Sequence, residues 1–268
     1  MNPILVAVIV SFALAFLIGI LLGVFKKIFY VPANEKALAI REVLPGANCG
    51  GCGYPGCDGF ANACALGNAP ANGCTAGGAA VAQAVANVLG VTVDAENYVA
   101  VLACQGDCEK AVPRGIYKGV KSCAPCHQAV NGNKMCNWGC MGFGDCVSVC
   151  QFGALSMGKD GLPKVDTKKC TGCGMCVRAC PRHLFSLVPL SRKGSIALCS
   201  NRNENKPAIL KSCKIGCIKC LKCERACAFD AIKVTNGIPI TNYEKCTSCN
   251  KCVTDCPTHV LALLEKIV

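Results

Sequence analysis

An α+β protein tethered by one N-terminal membrane helix is what three observations on this 268-residue sequence predict. Residues 4–25 run unbroken without a charge, 27 residues are cysteine and fall largely in runs of fixed pitch, and the carboxy-terminal half repeats itself after about 77 residues. Each observation accounts for one part of the chain.

The stretch ILVAVIVSFALAFLIGILLGVF (residues 4–25) carries no charge, and about 20 such residues cross a bilayer as one helix. Lys26 and Lys27 follow it directly, and no Lys or Arg precedes it. The positive-inside rule then sets the amino terminus outside and everything after Lys26 in the cytoplasm. A cleaved signal peptide would begin with basic residues and have a shorter apolar part. The expected location is the bacterial cytoplasmic (inner) membrane, single-pass, with the soluble part on the reducing, cytoplasmic side.

The clearest cysteine runs are Cys170-x2-Cys173-x2-Cys176-x3-Cys180-Pro181 and Cys246-x2-Cys249-x2-Cys252-x3-Cys256-Pro257. Cys217-x2-Cys220-x2-Cys223-x3-Cys227 has the same spacing without the proline. Three thiolates at this pitch wrap one [4Fe–4S] cube, and the fourth reaches the neighbouring cube of a pair. A disulfide framework is disfavoured by the odd cysteine count and the regular pitch. Zinc ribbons present separated pairs rather than four cysteines in a row. With 6% aromatic and 16% charged residues, a large apolar core is not expected, and metal–thiolate bonds must supply stability.

The formal charge of +12 counts every cysteine as neutral. Five cubes at about −2 each would bring it to about +2, so the basicity compensates the clusters. No nucleic-acid partner is expected, because no aromatic–basic stacking pattern accompanies the charge.

The repeat maps Cys123, Cys136, Cys140, Cys146, Cys150, Cys170, Cys173, Cys176 and Cys180 onto Cys199, Cys213, Cys217, Cys223, Cys227, Cys246, Cys249, Cys252 and Cys256. Two tandem bacterial-type two-cluster ferredoxin-like units explain it, with short strands flanking each run and a short helix after the third cysteine. One position departs from the pattern: Phe143 stands where the second unit has Cys220. Cys136, three residues before Cys140, is placed to substitute. The expected ligand sets are Cys136, Cys140, Cys146 and Cys180; Cys170, Cys173, Cys176 and Cys150; Cys217, Cys220, Cys223 and Cys256; and Cys246, Cys249, Cys252 and Cys227. On that reading Cys136→Ala removes one cube of iron and Cys213→Ala removes none.

Upstream lies Cys49-x2-Cys52-x4-Cys57-x16-Cys74, whose glycines permit the tight turns needed to close a backbone around a cube. These four cysteines are expected to hold a fifth cluster. Gly51-x-Gly53-x-x-Gly56 matches a dinucleotide fingerprint only formally, since no apolar strand precedes it and cysteines interrupt it. Residues 79–89 read as an alanine-rich helix capped by Gly90, and Cys64, on an apolar face, as a buried free thiol. Cys104, Cys108, Cys123, Cys126, Cys199 and Cys213 also remain. A sixth site is left open, built either from Cys104, Cys108, Cys123 and Cys126 or from Cys104, Cys123, Cys199 and Cys213.

The run Gly-Tyr-Pro-Gly-Cys-Asp-Gly-Phe-Ala within residues 53–61 resembles the small iron–sulfur domain of the Rnf B subunit, a domain also found in corrinoid iron–sulfur proteins. The order of one membrane helix, this module and serial ferredoxin units resembles the B subunit of the Rnf electron-transport complex along essentially the whole chain, in its long form with doubled ferredoxin units. The resemblance implies a translocase that moves electrons between reduced ferredoxin and NAD while pumping Na+ or H+, with this chain taking electrons from soluble ferredoxin and passing them to membrane and flavin- or iron–sulfur-bearing subunits. The alternative is a membrane-anchored electron-input subunit of a hydrogenase or dehydrogenase. Nothing is carried over to Cys108 or Cys126, which lie outside the family pattern.

The expected segments are residues 1–27 as anchor, 28–102 as the first iron–sulfur domain, 103–190 as the first ferredoxin-like unit and 191–268 as the second. No nucleophile–base pair, phosphate loop or flavin fingerprint occurs, so no catalytic residue is expected. His183 and His259 follow Cys-Pro at matched positions and read as packing or capping residues, Pro181 and Pro257 as structural, and Trp138 as a water shield. Lysines within 110–121, 159–169 and 206–222 could steer an acidic redox partner.

Overall fold

The structure, a computed structural model, describes residues 3–29 and 34–267; the ends of the expected segments at residues 1–2, 30–33 and 268 lie outside it. Helix α1 (Pro3–Ile28) is apolar up to Lys26 and Lys27 in its last turn. Its Val8–Ile28 portion is a candidate membrane span with mean hydropathy 2.9, and none of it is buried against the rest of the protein. An apolar surface of that length left bare in water would be strongly unfavourable, which is the physical case for a bilayer around it.

The first compact unit comprises α2 (Glu35–Val43), α3 (Gly56–Ala65) and α4 (Gly78–Leu89). Asn34 caps α2 by accepting from the Lys36 N–H at 3.0 Å. Gly90 ends α4 in the left-handed conformation (φ 71°), where a side chain would be strained. The three helices bury Ile40, Phe60, Val85 and Ala86 together with Cys64.

The remainder is built from short hairpins. Strand β1 (Tyr98–Leu102) precedes α5 (Cys123–Val130) and α6 (Asp145–Ser148), then β2 (Leu155–Met157), β3 (Pro163–Val165), α7 (Met175–Ala179) and β4 (Phe185–Pro189). After these come β5 (Ser195–Ala197), α8 (Lys206–Ser212), α9 (Lys222–Arg225), β6 (Ile232–Thr235), β7 (Ile238–Thr241), α10 (Lys251–Thr254) and β8 (Leu261–Leu263). Among the described residues the four sheets are all antiparallel pairs: β1 with β4, β2 with β3, β5 with β8 and β6 with β7. An outer pair and an inner pair thus recur in each half. By its pairing β1 joins the residues after the expected boundary at 102/103.

Two stitches join the parts. Residues 104–113 run alongside the second half through bridges Cys104 to Cys199 and Ala111 to Cys213. The first unit meets the cysteine run at 170–180 where Arg178 Nη1 donates to Gly51 O (3.3 Å) and Thr75 Oγ1 to Cys173 O (3.4 Å).

The backbone of the runs requires left-handed residues at alternate positions. In the first half these are Gly142, Gly144, Gly172 and Gly174; at the repeat-matched positions of the second stand Lys219, Leu221, Ser248 and Asn250, all with φ between 55° and 66°. A left-handed non-glycine costs about 1–2 kcal/mol. Replacing Leu221 by Gly should therefore raise stability by about 1 kcal/mol, after allowing for glycine's extra chain entropy. Anaerobic urea unfolding followed by circular dichroism checks this, and a lowered midpoint would contradict it.

Candidate metal centres

Four cavities of similar volume, about 350 to 380 Å3 with their mouths included, are each lined by four cysteines. Cys150, Cys170, Cys173 and Cys176 line one, and Cys227, Cys246, Cys249 and Cys252 a second. These are the pairings expected from the spacing. The third holds Cys123, Cys140, Cys146 and Cys180, and the fourth Cys104, Cys136, Cys199 and Cys213. Two further groups converge: Cys49, Cys52 and Cys57 crowd Cys74, and Cys217, Cys220 and Cys256 crowd Cys223.

The structure does not bring Cys136 to Cys140, Cys146 and Cys180. Cys123 takes that place, for an identifiable reason. The Asp145 carboxylate accepts from Ser122 Oγ (2.8 Å), Cys123 N (2.8 Å) and Ala124 N (3.1 Å), binding the start of α5 to the start of α6. Burial alone would raise the Asp145 carboxyl, but these donors outweigh it and hold the group below its ordinary value. The Cys123 sulfur then accepts from the N–H groups of Asp145, Phe143 and Gly144, beside the position where the second half has its own cysteine. Cys136, meanwhile, shares a cavity with its repeat equivalent Cys213. Spacing alone did not reveal this exchange of Cys123 and Cys136; the Asp145 contact that decides it spans more than twenty residues.

The quartets are strung in sequence. The Cys140 N–H donates to Cys104 Sγ (3.3 Å) and the Cys217 N–H to Cys199 Sγ (3.5 Å), so the Cys104 quartet links one half to the other. The Cys146 and Cys176 side chains share one apolar cluster, as do those of Cys223, Cys227 and Cys252. Cys173 packs against the core of the first unit, which includes Cys57 and Cys74.

The donor set suits a multi-iron group. All 27 cysteines are free, yet among the described residues no three of His, Cys, Asp or Glu converge on a point that one metal ion could fill. A single zinc ion needs its sulfurs at about 2.3 Å; quartets spread around a cavity fit a cube. Backbone N–H groups aim at several of these sulfurs: Ala100 at Cys170 (3.5 Å), Leu184 at Cys180 (3.5 Å), Ala231 at Cys227 (3.3 Å) and Val260 at Cys256 (3.3 Å). Such donors stabilise negative charge on sulfur. Burial, helped by neighbouring cysteines, pushes Cys140, Cys146 and Cys176 up to about 12. As bare thiols these would stay protonated, so their ionisation must come from the metal that displaces the proton.

No histidine lines any of the four cavities. His183 and His259 adopt matching left-handed conformations (φ 49° and 50°), and their N–H groups close a turn onto Cys180 O and Cys256 O. Trp138 lines the Cys104 cavity. Arg182 donates to the carbonyls of Cys136 and Asn131, tying that loop down.

Three family models match the chain: an Fe-S cluster family over residues 44–76, a 4Fe-4S binding domain over 163–184 and a 4Fe-4S dicluster domain over 216–261. A curated relative from Acetobacterium woodii, named as the B subunit of a Na(+)-translocating ferredoxin:NAD(+) oxidoreductase complex, is 43% identical across 98% of this chain and 78% of its own length. The chain belongs to this family of complex B subunits. Another member, the B subunit of the ion-translocating oxidoreductase complex of Methanosarcina acetivorans, is 38% identical over 88% of this chain and 89% of its own. The corresponding protein from Clostridium ljungdahlii, named as the B subunit of a proton-translocating ferredoxin:NAD(+) oxidoreductase complex, is 38% identical over 97% and 93%. In the present family member, three cysteines stand outside every quartet: Cys64, Cys108 and Cys126.

Cys64 is buried, and burial followed by the Cys52 and Cys74 sulfurs pushes it up to about 11 from an ordinary 9.0. Because the unfolded thiol ionises first, this favours the folded state below pH 9 and is lost between 9 and 11. Iodoacetamide at about pH 8 should label the exposed Cys108 and leave Cys64 unmodified. Peptide mass spectrometry checks this, and equal labelling would contradict it.

Proposed function

We propose that this chain is the multi-[4Fe–4S] electron-transfer subunit of a membrane-bound, Rnf-type ion-translocating ferredoxin:NAD oxidoreductase. It would accept electrons from reduced soluble ferredoxin and relay them to other membrane and flavin- or iron–sulfur-bearing subunits. The soluble part would lie on the cytoplasmic face of the membrane, held by α1 in the bilayer. The observation that carries the reading is the set of four cysteine-lined cavities, each with four sulfurs, which hydrogen bonds and shared apolar walls link into a row with the Cys217 group as a further member.

On this reading the ligand sets number six rather than five. They are Cys49, Cys52, Cys57 and Cys74; Cys150, Cys170, Cys173 and Cys176; Cys123, Cys140, Cys146 and Cys180; Cys104, Cys136, Cys199 and Cys213; Cys217, Cys220, Cys223 and Cys256; and Cys227, Cys246, Cys249 and Cys252. The two tandem ferredoxin-like units would carry four of them, with the Cys104 set between the units. The cubes, when bound, supply one-electron storage and transfer. The chain's own residues do the rest. Thiolates hold the iron, backbone N–H groups neutralise sulfur charge, and side chains such as Leu102, Leu184 and Phe185 keep water from the Cys123 cavity.

Alanine in place of Cys123, Cys136 or Cys213 should each cost about four iron atoms per chain, while alanine at Cys108 or Cys126 should cost none. Iron analysis of anaerobically prepared variants measures this. Loss at Cys136 with none at Cys213 would favour the pairing that spacing alone suggests, against the one proposed.

A further inference from the structure

Lys134 is 7% exposed, and its ammonium donates to the Gly106 carbonyl at 2.7 Å. Gly106 belongs to the wall of the Cys104 cavity, and a Cβ built on it would lie 3.3 Å from Cys213 Sγ and 3.8 Å from Cys104 Sγ. The charge also reaches Cys140 in the adjoining quartet, where it opposes the rise that burial causes there and at Cys104 and Cys213. Burying an ammonium against a neutral carbonyl alone is costly, and natural proteins pair such a group with an anion.

Among the described residues no carboxylate forms an ion pair with Lys134. Asp107, next to Gly106, is already engaged by the N–H groups of Glu109 and Lys110 and by Lys110 Nζ. The remaining anions at hand are the thiolates of the two quartets. The repeat places Lys211 at the equivalent position of the second half, where it is exposed on α8, so the buried lysine is particular to the junction.

We propose that Lys134 is the shared counter-charge of the Cys104 and Cys123 quartets and raises the reduction potentials of the groups they hold. The proposal rests on the cluster assignment above. A fixed positive charge in a poorly solvated wall stabilises the more negative, reduced state, and solvent screens it little.

The test is an electron paramagnetic resonance redox titration of the full-length chain in detergent, prepared anaerobically. Signals missing from the Cys140→Ala and Cys213→Ala chains identify the two sites. Lys134→Met and Lys134→Gln should each make reduction at those sites about ten-fold less favourable, a downward shift of about 59 mV for one electron. The other sites should not move, and Lys134→Arg should keep both potentials. Lys211→Met is the control for net charge and should change nothing. Unshifted potentials in the Met and Gln chains, or an equal shift in the Lys211 chain, would overturn the proposal. Iron loss in both uncharged variants would assign the lysine to assembly instead and would overturn it too. A wild-type chain without cluster signals would sink the cluster assignment itself, an outcome distinct from these.

Discussion

Buried sulfur is the constraint around which this protein is arranged. Twenty-four of its 27 cysteines are gathered in fours within apolar walls. A thiolate in such a place is unfavourable unless a metal shares its charge, and burial accordingly pushes the Cys140, Cys146 and Cys176 thiols up to about 12. Short strands and four-residue helices could not form a stable core by themselves. The proposed metal groups would therefore be structural as much as functional, serving as the centre around which each hairpin pair closes.

The same constraint explains the strained backbone. Wrapping a cube from three cysteines at a two-residue pitch forces left-handed residues between them, and the first half meets the need with glycine. The second half holds Lys219, Leu221, Ser248 and Asn250 in that conformation. Sulfur–metal bonds, once formed, would supply the stability that tolerates side chains there.

What the sequence made legible follows from which features are local. A continuous apolar segment needs no partner to be recognised, so α1 was visible, as was α4 with Gly90 as its cap. The runs at 170–180, 217–227 and 246–256 were visible because ligation geometry dictates their spacing. The exchange of Cys123 for Cys136 was not, because it depends on Asp145 capping α5 across the intervening loop. Grouping Cys104 with Cys199 and Cys213 was one of two arrangements the sequence left open, and what selects it is a bridge between segments almost a hundred residues apart. Strands as short as β1 carry too little pattern to announce a partner at 185–189. Family membership, by contrast, was legible from module order alone, and relatives matched over nearly the whole chain bear it out.

Sulfur quartets in series, including one at the junction of the two halves, would all hold iron cubes. Iron and acid-labile sulfide counted together on the anaerobically isolated full-length chain test this most directly. Six cubes give about 24 of each per polypeptide. A count near 20 would remove the junction site, and a colourless chain loaded with zinc would contradict the account altogether.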